Sequence, residues 1–553
     1  MQTLVIAGAV IVLMIAGILL ISSDIKKREL RVRNNMRKSY GGIPKEQERD
    51  YDCIPIYWNE IKGRIPEDEK IDDITWNDLE MEKIYERISN GNSFIGEQVL
   101  YAQLHQLPRE LRQLDEFEKK VRWMDENEDA RVNIQYDLWN MGKQDVKYYV
   151  PMFCANLEEQ KMENIWVYRL LQVSMILLLI LAVIFRGPLA VAAGVNFMVN
   201  ITLYGLVKAK YEVQLGSLAV ITVIIRLCTN LKKDAQFPTE LISDQVKNSI
   251  DDLAATARKA ALLHQKKQAS RSGDPVGMIQ DYLIGATLWD FIQYDRIIRE
   301  LVRCRQAFDL VYKFAGELDM AITVGSFRRS VPGWCIPEFT EDKSLLMEEI
   351  YHPLVNEPVK NSLTMNRNLI LTGSNASGKS TFIKSAAINT IFALSIHTCL
   401  ADRMQLPDAI VVTSMSMRDD VVGGESYFIT EIKYLKRIVE KSGEGRMVIC
   451  MIDEILRGTN TKERIAASEA VLRYLNRKKC LVMVATHDLE LTKRFAGDCN
   501  MYHFSEKLGE QDVNFDYKLK NGVSNSSNAI DLLEFVEFPK EIVAEARKLV
   551  AGK

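Results

Sequence analysis

The sequence predicts an α/β P-loop domain in the C-terminal part of the chain, preceded by an all-α region and by membrane-spanning helices. Three observations lead to this fold class. Apolar runs near residues 4–21 and 170–207 are long enough to cross a bilayer. Apolar residues recur at helical spacing between residues 241 and 320. After residue 360, three short apolar strands each run directly into polar residues.

The composition is that of a globular protein. The chain has 553 residues and a net charge of -3, which predicts three or four folded units and excludes a generally basic nucleic-acid coat protein. Charged residues make up 26% and hydrophobic residues 47%, which leaves no room for extensive disorder. The nine cysteines form no CxxC pair, so they indicate reduced thiols rather than a disulfide framework or a zinc site.

Charge is distributed unevenly along the chain. Residues 1–40 have a net charge of +5, residues 41–168 one of -12, and the remainder one of +4. An acidic segment repels DNA phosphates, so we expect no contact with nucleic acid at residues 41–168.

The first apolar run, Leu4–Ile21, contains no charged residue. A secretory signal peptide is the alternative to a membrane anchor, but it requires positive charge before the run and a small-residue cleavage site after it. Here the positive charge follows the run, from Lys26 to Lys38. This placement favours an uncleaved anchor whose N-terminus lies outside and whose following chain lies in the cytoplasm.

The second apolar region is divided by Arg186-Gly187-Pro188 into Leu170–Phe185 and Leu189–Val207. This pattern predicts a hairpin of two spanning helices that returns the chain to the cytoplasm. The alternative is a buried hairpin in a soluble core, because the first half is short and polar residues interrupt the region at Gln172, Asn196 and Asn200. Beyond it, the periodicity from Leu241 to about Met320 predicts long amphipathic helices with a turn at Ser270–Pro275.

A glycine-rich phosphate-binding motif follows the short apolar strand Asn368–Thr372 and precedes a helical run to about Leu394. Its glycines let backbone N–H groups surround phosphates, and the helix N-terminus adds partial positive charge. Lys379 supplies charge to the β- and γ-phosphates, and the Ser380 hydroxyl is a ligand for Mg²⁺. The predicted binding residues are Gly373, Ser374, Asn375, Ala376, Ser377, Gly378, Lys379, Ser380 and Thr381.

Two further strands end in residues suited to phosphoryl transfer. Met447–Ile452 runs into Asp453 and Glu454, which we expect to hold Mg²⁺ and to polarise the attacking water, respectively. Leu481–Ala485 is followed by Thr486 and His487, and a histidine in this position can contact the γ-phosphate. Because parallel strands bring their carboxyl ends to one edge of a sheet, these side chains should meet the glycine-rich loop there.

Taken together, these segments resemble the ATPase domain of the MutS family of mismatch-repair proteins. The resemblance rests on His352-Pro353 and on TGSNASGKST at 372–381, GGESYFITE at 423–431, IDEILRGTNT at 452–461, ATHDLEL at 485–491 and the closing segment 521–549. Upstream, SFIGEQVLYAQLHQLP at 93–108 resembles the start of the family's core and lever region.

The resemblance implies an ABC-type ATPase that forms a homodimer through its ATPase domains and binds ATP and Mg²⁺ at two sites shared between the subunits. It implies that Ser426 reaches the γ-phosphate of ATP bound to the opposite subunit, and that residues 457–460 line the facing loop. It also implies that ATP holds the dimer together and that hydrolysis by Glu454 releases it.

The chain also departs from the family. Val359, after Glu357-Pro358, stands where the family has an aromatic residue that stacks on adenine. The segment 24–90 is too short and too acidic for a mismatch-reading domain, and the apolar hairpin leaves no room for the family's clamp domain. Mismatch recognition is therefore not carried over to this chain.

The expected function is that of a membrane-anchored MutS-like ATPase, multi-pass in the cell membrane with its ATPase domain in the cytoplasm. By resemblance, DNA is a candidate partner in a repair or recombination role. The alternatives are an ATP-gated membrane scaffold and an ABC-type transport component, neither of which binds DNA. Transport is disfavoured because three spans per chain offer little surface for a translocation path, and because GGESYF differs from the transporters' LSGGQ.

The predicted organisation has six parts. They are an N-terminal anchor at 1–23, a basic juxtamembrane segment and linker at 24–60, an acidic helical core-like segment at 61–168, a transmembrane hairpin at 169–208, a helical core or lever at 209–330, and the ATPase domain at 331–553.

Overall fold

In the described part of the chain, helices and their connecting loops make up the residues before 330, and helices alternate with strands after it. The structure is a computed structural model that describes residues 2–44, 52–185, 187–270, 285–374, 377–415, 427–443, 445–456, 459–508, 513–523 and 538–550. The helices in these ranges are α1 (Gln2–Ser39), α2 (Ile56–Ile61), α3 (Asp73–Asp78), α4 (Met81–Ile88), α5 (Phe94–Leu104), α6 (Arg112–Glu126), α7 (Glu128–Met141), α8 (Asp145–Tyr148), α9 (Val150–Ala155), α10 (Ile165–Phe185), α11 (Pro188–Lys233), α12 (Asp244–Ser270), α13 (Trp289–Arg303), α14 (Arg305–Arg329), α15 (Lys379–Ile396), α16 (Tyr427–Lys441), α17 (Thr461–Asn476), α18 (Leu489–Arg494) and α19 (Lys540–Val550).

Strands begin only after the last long helix of the N-terminal part. In the same described ranges they are β1 (Glu338–Thr340), β2 (Leu345–Ile350), β3 (Asn361–Met365), β4 (Leu369–Thr372), β5 (Arg403–Pro407), β6 (Ala409–Ser414), β7 (Met447–Asp453), β8 (Cys480–Ala485), β9 (Asn500–His503), β10 (Glu506–Leu508), β11 (Val513–Phe515) and β12 (Lys520–Asn521).

The chain divides into two compact units that interleave in sequence. The first unit comprises Met1–Gly63, Asn90–Ala102 and Lys119–Ser326, and the second comprises Arg64–Ser89, Gln103–Glu118 and Phe327–Lys553. The segment predicted at 61–168 is thus shared between the two units. The second unit contains the three sheets of the described chain, of four, two and six strands, and it includes two short N-terminal segments in addition to the region predicted as the ATPase domain.

The first unit is helical, as the periodicity of residues 241–320 predicts: α12 and α13 lie within that range, and α14 begins in it and continues to Arg329. The predicted turn at Ser270–Pro275 lies outside the described residues apart from Ser270, which ends α12. The start of α5 is fixed by the buried carboxylate of Asp319 on α14. Its oxygens accept hydrogen bonds from the backbone N–H groups of Asn92 and Ser93, at 3.0 and 2.8 Å.

The hairpin α10–α11 presents an apolar outer surface. Three stretches of the described chain are long and apolar enough to cross a membrane, by length and composition: Ile165–Phe185, Pro188–Lys208 and Gln214–Lys233. The first two are 6% and 17% buried, whereas the third is 50% buried and continues α11 along the unit. The anchor predicted at Leu4–Ile21 lies in α1, and all but one of its side chains are outside the described part of the chain.

The polar residues of this hairpin form hydrogen bonds within the first unit. Gln172 donates to the carbonyl of Thr287 at 3.0 Å, and Asn196 donates to the Ser174 hydroxyl at 2.9 Å. Asn200 is fully buried and donates to the carbonyl of Ala286 at 2.8 Å. These donors are therefore satisfied without water, which leaves the exposed face apolar.

The second unit is built on a six-stranded sheet with the order β12-β9-β4-β8-β7-β6. Strands β9, β4, β8, β7 and β6 are mutually parallel, and β12 is antiparallel to β9. The three strands predicted from the sequence are therefore confirmed as neighbours in one parallel sheet. Every residue of β4, β6, β7 and β8 is buried, which explains their continuous apolar runs.

Candidate functional site

The glycine-rich loop connects the buried central strand β4 to the N-terminus of α15. Gly373 has φ 147°, and a Cβ atom at this position would lie 2.9 Å from both the carbonyl oxygen of Phe504 and the hydroxyl of Ser377. Gly378 has φ 104° immediately before the helix begins. Both positions therefore require glycine, because a side chain would meet backbone or strain the chain.

Lys379 lies at the first position of α15 with its side chain buried. Its ammonium group donates to the carbonyl oxygens of Gly373 and Ser374, both at 2.7 Å, and lies 3.5 Å from Nε2 of His487. The positive charge is thus held inside the loop, at the N-terminal end of a helix. Both features attract an anion to this point.

Ser380 and Asp453 meet across the loop. The Ser380 hydroxyl donates to Oδ2 of Asp453 at 2.6 Å, and Asp453 is the last residue of β7. The sequence predicted both as magnesium ligands, and the fold brings their oxygens into direct contact.

Glu454 follows Asp453 and has a left-handed backbone conformation with φ 65°. Its N–H donates to the carbonyl of Ala485 at 3.0 Å, so the β7–β8 pairing holds this backbone in place. Its Oε1 atom lies 3.0 Å from Nε2 of His487. A non-glycine residue in this conformation costs about 1–2 kcal/mol, and such strain concentrates at functional sites.

The structure therefore brings Lys379, Ser380, Asp453, Glu454 and His487 together at the carboxyl edge of the sheet. Other predicted site residues, namely Asn375, Ala376, Ser426, Arg457 and Gly458, lie outside the described residues. Within the described ranges, no three His, Cys, Asp or Glu side chains form a cluster that could hold a metal ion by themselves.

A cavity of about 590 Å³ opens beside the loop. Ser374, Gly378, Ser380, Thr381, Asp453 and Glu454 line one part of it, and residues 350–352 and 355–359 line another. Val359 is 39% exposed on this wall, at the position where the resemblance places an aromatic residue. The cavity thus joins the phosphate loop to a second, more apolar wall.

His352 also lines the cavity, and burial lowers the pKa of its imidazole to about 4. The nearby Lys384 ammonium lowers the pKa further, while Glu80 opposes the shift. The Nδ1 atom accepts a hydrogen bond from the backbone N–H of Leu354 at 3.2 Å, which requires a neutral ring at this nitrogen. His352 is therefore uncharged at neutral pH.

Tyr517 is a cavity residue that the sequence analysis did not single out. Its side chain is exposed and stacks against Phe515 with ring centroids 5.8 Å apart. Its Cδ1 atom lies 3.1 Å from the position that a Cβ of Gly378 would take. Tyr517 follows the short strand β11, which has no continuous apolar run in the sequence, so no local signal connected it to a loop about 140 residues earlier.

Residues 369–552 match the family model described as MutS domain V. The chain is similar to proteins named DNA mismatch repair protein MutS from several bacteria. The Pseudothermotoga lettingae protein is 35% identical over 233 residues, covering 39% of this chain and 28% of that protein. The Aquifex pyrophilus protein is 32% identical over 230 residues, covering 39% of this chain and 26% of that protein.

A third relative, from Petrotoga mobilis, is 28% identical over 278 residues, covering 47% of this chain and 33% of that protein. The chain thus spans between a quarter and a third of the length of these curated relatives. The similarity lies in the part of the chain that carries the phosphate loop, the acid pair and His487. Residues 369–552 thus match MutS domain V, a P-loop ATPase domain, and this match relates the C-terminal part of the chain to the MutS family.

Proposed function

We propose that this chain is a membrane-anchored, Mg²⁺-dependent ATPase that binds and hydrolyses ATP at sites shared between two copies. The observation that carries the catalytic part is the convergence of Lys379, the Ser380–Asp453 pair and the Glu454–His487 pair on one cavity edge. This convergence lies within the MutS domain V.

The residues at the loop suit ATP with Mg²⁺. A serine hydroxyl beside a carboxylate offers the oxygen ligands that Mg²⁺ prefers, and this ion is usually held by one or two protein groups together with substrate phosphates. Ser380 and Asp453 would hold the ion, which neutralises charge on the phosphate oxygens when bound. Lys379 and the N-terminus of α15 would bind the β- and γ-phosphates.

Glu454 is the proposed general base. Its carboxylate accepts a proton from the attacking water, and the strained backbone fixes where the carboxylate points. The neighbouring imidazole of His487, just after the end of β8, would orient this carboxylate and would contact the γ-phosphate of a bound nucleotide. Positioning of this kind supplies most of the catalysis in phosphoryl transfer, where the protein does little covalent chemistry.

The cavity wall supports binding of a nucleotide rather than a bare phosphate. Tyr517 and the apolar residues Val355 and Val359 line the cavity away from the phosphate loop. An exposed aromatic face in this position can stack on a base. We propose that Tyr517 contributes the stacking surface that Val359 lacks.

The family resemblance of residues 423–431 supports a nucleotide site that is shared between two copies of the chain. In such a site, Ser426 of one copy would contact the nucleotide bound by the other copy. Membrane anchoring is supported by the exposed apolar face of α10–α11 and by the internal pairing of its polar residues. The positive charge after Leu4–Ile21 supports an orientation with the ATPase domain in the cytoplasm.

DNA binding is a second candidate activity, favoured by the role in the names of the relatives. Binding of the purified chain to duplex and branched DNA at several salt concentrations tests it, because phosphate contacts weaken steeply with salt. Equal, negligible binding at low and high salt would leave the ATP-gated membrane scaffold as the better description.

The test of the main proposal is ATP turnover by the purified full chain in detergent, with and without Mg²⁺. We expect Mg²⁺-dependent hydrolysis that Lys379→Ala abolishes, and an ATP-dependent dimer in light scattering. Equal hydrolysis by the parent and Lys379→Ala would contradict the proposed site. A chain that remains monomeric with ATP would contradict the shared sites.

A further inference from the structure

Cys335 and Cys399 lie directly opposite each other in the second unit. They form an isolated antiparallel bridge, shortly before β1 and β5 respectively. The N–H of each residue donates to the carbonyl of the other at 2.9 Å. In a hydrogen-bonded antiparallel pair the Cα atoms are about 5.5 Å apart and the two side chains lie on one face. This is also the usual distance between the Cα atoms of a disulfide.

Two other cysteines of the second unit lie on neighbouring strands without being paired in this way. Cys450 on β7 is opposite Val482 on β8 rather than opposite Cys480. Both of these cysteines are fully buried, whereas Cys335 is half-buried. The bridge before β1 and β5 therefore differs from them in combining direct pairing with partial exposure to solvent.

Arg328 holds together the residues that precede the two cysteines. Its guanidinium carbon lies 4.2 Å from the centre of the Trp334 ring, and its Nε donates to the hydroxyl of Thr398 at 3.0 Å. A second nitrogen donates to the carbonyl of His397 at 2.9 Å, and the guanidinium forms an ion pair with Glu118. The backbone on both sides of the bridge is therefore held in register.

The two sulfur atoms differ in acidity. A hydrogen bond from the Cys399 thiol lowers the pKa of Cys335, and the N–H of Met404 lowers it further, whereas burial and the carboxylates of Asp402 and Glu338 oppose the shift. Burial raises the pKa of Cys399 well above its ordinary value, so this thiol keeps its proton. Cys335 is therefore the nucleophile of the pair, because the thiolate is the reactive form.

We propose that Cys335 and Cys399 are a modification site, a peroxide-reactive pair that forms a reversible disulfide. The Cys335 thiolate attacks one oxygen of hydrogen peroxide, the O–O bond breaks, and the leaving hydroxide takes up a proton to become water. This leaves a sulfenic acid on Cys335. The Cys399 sulfur then attacks the Cys335 sulfur, the S–O bond breaks, and the hydroxyl leaves with the thiol proton as a second water. Two thiols are thereby oxidised and one peroxide is reduced, and a dithiol reverses the reaction by thiol–disulfide exchange.

The site is tested on the purified full chain in detergent, first reduced and then exposed to hydrogen peroxide. After alkylation of the remaining thiols and proteolysis, mass spectrometry should find the peptides of Cys335 and Cys399 joined, and dithiothreitol should separate them. Cys335→Ser should give no joined peptides. Cys399→Ser should instead accumulate a sulfenic acid on Cys335 that dimedone traps, because the serine hydroxyl can donate a hydrogen bond but cannot form the disulfide.

Cys499 is the matched internal control, because it is also half-buried in the second unit. Burial raises its pKa to about 11, Asp498 adds to this shift, and Arg473 opposes it. Its thiolate is therefore much rarer at neutral pH, although each thiolate formed is more nucleophilic. We expect Cys335 to be oxidised at least about tenfold faster than Cys499.

A covalent bond between Cys335 and Cys399 would enclose residues 336–398, which include the phosphate loop, in a covalent ring. Because such a ring restricts the unfolded chain, we expect the melting temperature of the oxidised parent to rise by roughly 5 °C. Peroxide-treated Cys335→Ser should show no rise. An unchanged melting temperature of the joined chain would overturn this consequence and leave the site itself standing.

Three results would overturn the site. They are the absence of joined peptides in the oxidised parent, a disulfide from Cys335 to a different cysteine, and equal rates of oxidation at Cys335 and Cys499. If serine at the buried position of Cys399 prevents folding, the parent and Cys335→Ser still decide the question, because neither changes that position.

Discussion

Nε2 of His487 lies 3.0 Å from Oε1 of Glu454, across the carboxyl ends of the neighbouring strands β8 and β7. The parallel register pairs Asp453 with Ala485, so that the residues following each strand meet directly above the sheet. This pairing places a carboxylate beside an imidazole at the edge of the phosphate loop. It is the arrangement from which the proposed hydrolysis follows.

Glu454→Gln should stop ATP turnover while keeping ATP binding. The amide retains the size of the side chain but cannot accept a proton from water, so we expect the turnover rate to fall by about 10²–10⁴-fold. ATP should then persist in the site and hold the dimer. Turnover is measured by phosphate release, binding by a fluorescent ATP analogue, and assembly by light scattering with ATP.

Glu490→Gln provides the control for this variant. Glu490 pairs with Arg494 on the exposed side of α18, away from the cavity, and its amide should leave turnover unchanged. If Glu454→Gln hydrolyses ATP at the parental rate, Glu454 is not the base and the role assigned to the His487 contact is wrong.

Tyr517→Ala should weaken ATP binding through the base rather than the phosphates. Stacking on an aromatic ring contributes about 1–3 kcal/mol, so the Kd for ATP should rise roughly tenfold. Tyr517→Phe keeps the ring and should bind ATP like the parent. The Kd values are obtained by titration of each purified variant.

Inorganic triphosphate separates the two parts of this site. It occupies the phosphate loop without a base, so its affinity should be the same for the parent and for Tyr517→Ala. An equal loss of affinity for triphosphate and ATP would indicate that Tyr517 shapes the loop through Gly378, and stacking on the base would be rejected.

The catalytic edge is predictable from the sequence because its signals are local. Buried parallel strands appear as continuous apolar runs, and the polar residue after each run marks the sheet edge. This pattern and the glycine-rich motif together assign Lys379, Asp453, Glu454 and His487 to one edge. The role of Tyr517 is not predictable in this way, because it depends on a contact with Gly378, about 140 residues earlier in the chain.

The division into units is harder to predict for a related reason. Residues 64–89 and 103–118 are acidic helical segments that composition groups with their neighbours, yet they belong to the second unit. Buried apolar side chains such as Trp76 and Leu114 hold them there together with polar contacts, for example the Arg446 guanidinium donating to the carbonyl oxygens of Asp68 and Leu107 at 2.6 and 2.8 Å. A contact between residues hundreds of positions apart leaves no local pattern in the sequence.

His352 should make the stability of the second unit depend on pH. Its folded pKa is about 4, below the ordinary value of 6.5, so the unfolded chain binds more protons between these values. Its contribution to stability is therefore complete above pH 6.5 and declines as pH falls toward 4, by at most about 2 kcal/mol at pH 5. Thermal melting at pH 7.5 and pH 5 should show a larger decrease for the parent than for His352→Asn.

The asparagine in that variant can still accept the N–H of Leu354 but does not titrate. Comparing the decrease in melting temperature of the two proteins therefore separates the titration of the His352 imidazole from that of the carboxyl groups and the other histidines of the chain. Identical decreases in melting temperature would show that His352 titrates with an ordinary pKa.

The membrane arrangement predicts opposite accessibility at the two ends of α11. Gly187 lies at the hairpin turn with no atom within 4 Å of its Cβ position, and Lys233 is exposed at the end of the helix. If α10 and the first half of α11 cross the bilayer, Gly187→Cys should react with a membrane-impermeant maleimide in intact cells, and Lys233→Cys should react only after permeabilisation. The parent chain gives the background from its native cysteines.

Equal reaction of both variants in intact cells, or of neither before permeabilisation, would place both ends on one side and favour the hairpin as part of a protein core. The contrast in labelling therefore decides between the two interpretations of residues 170–207 independently of any activity.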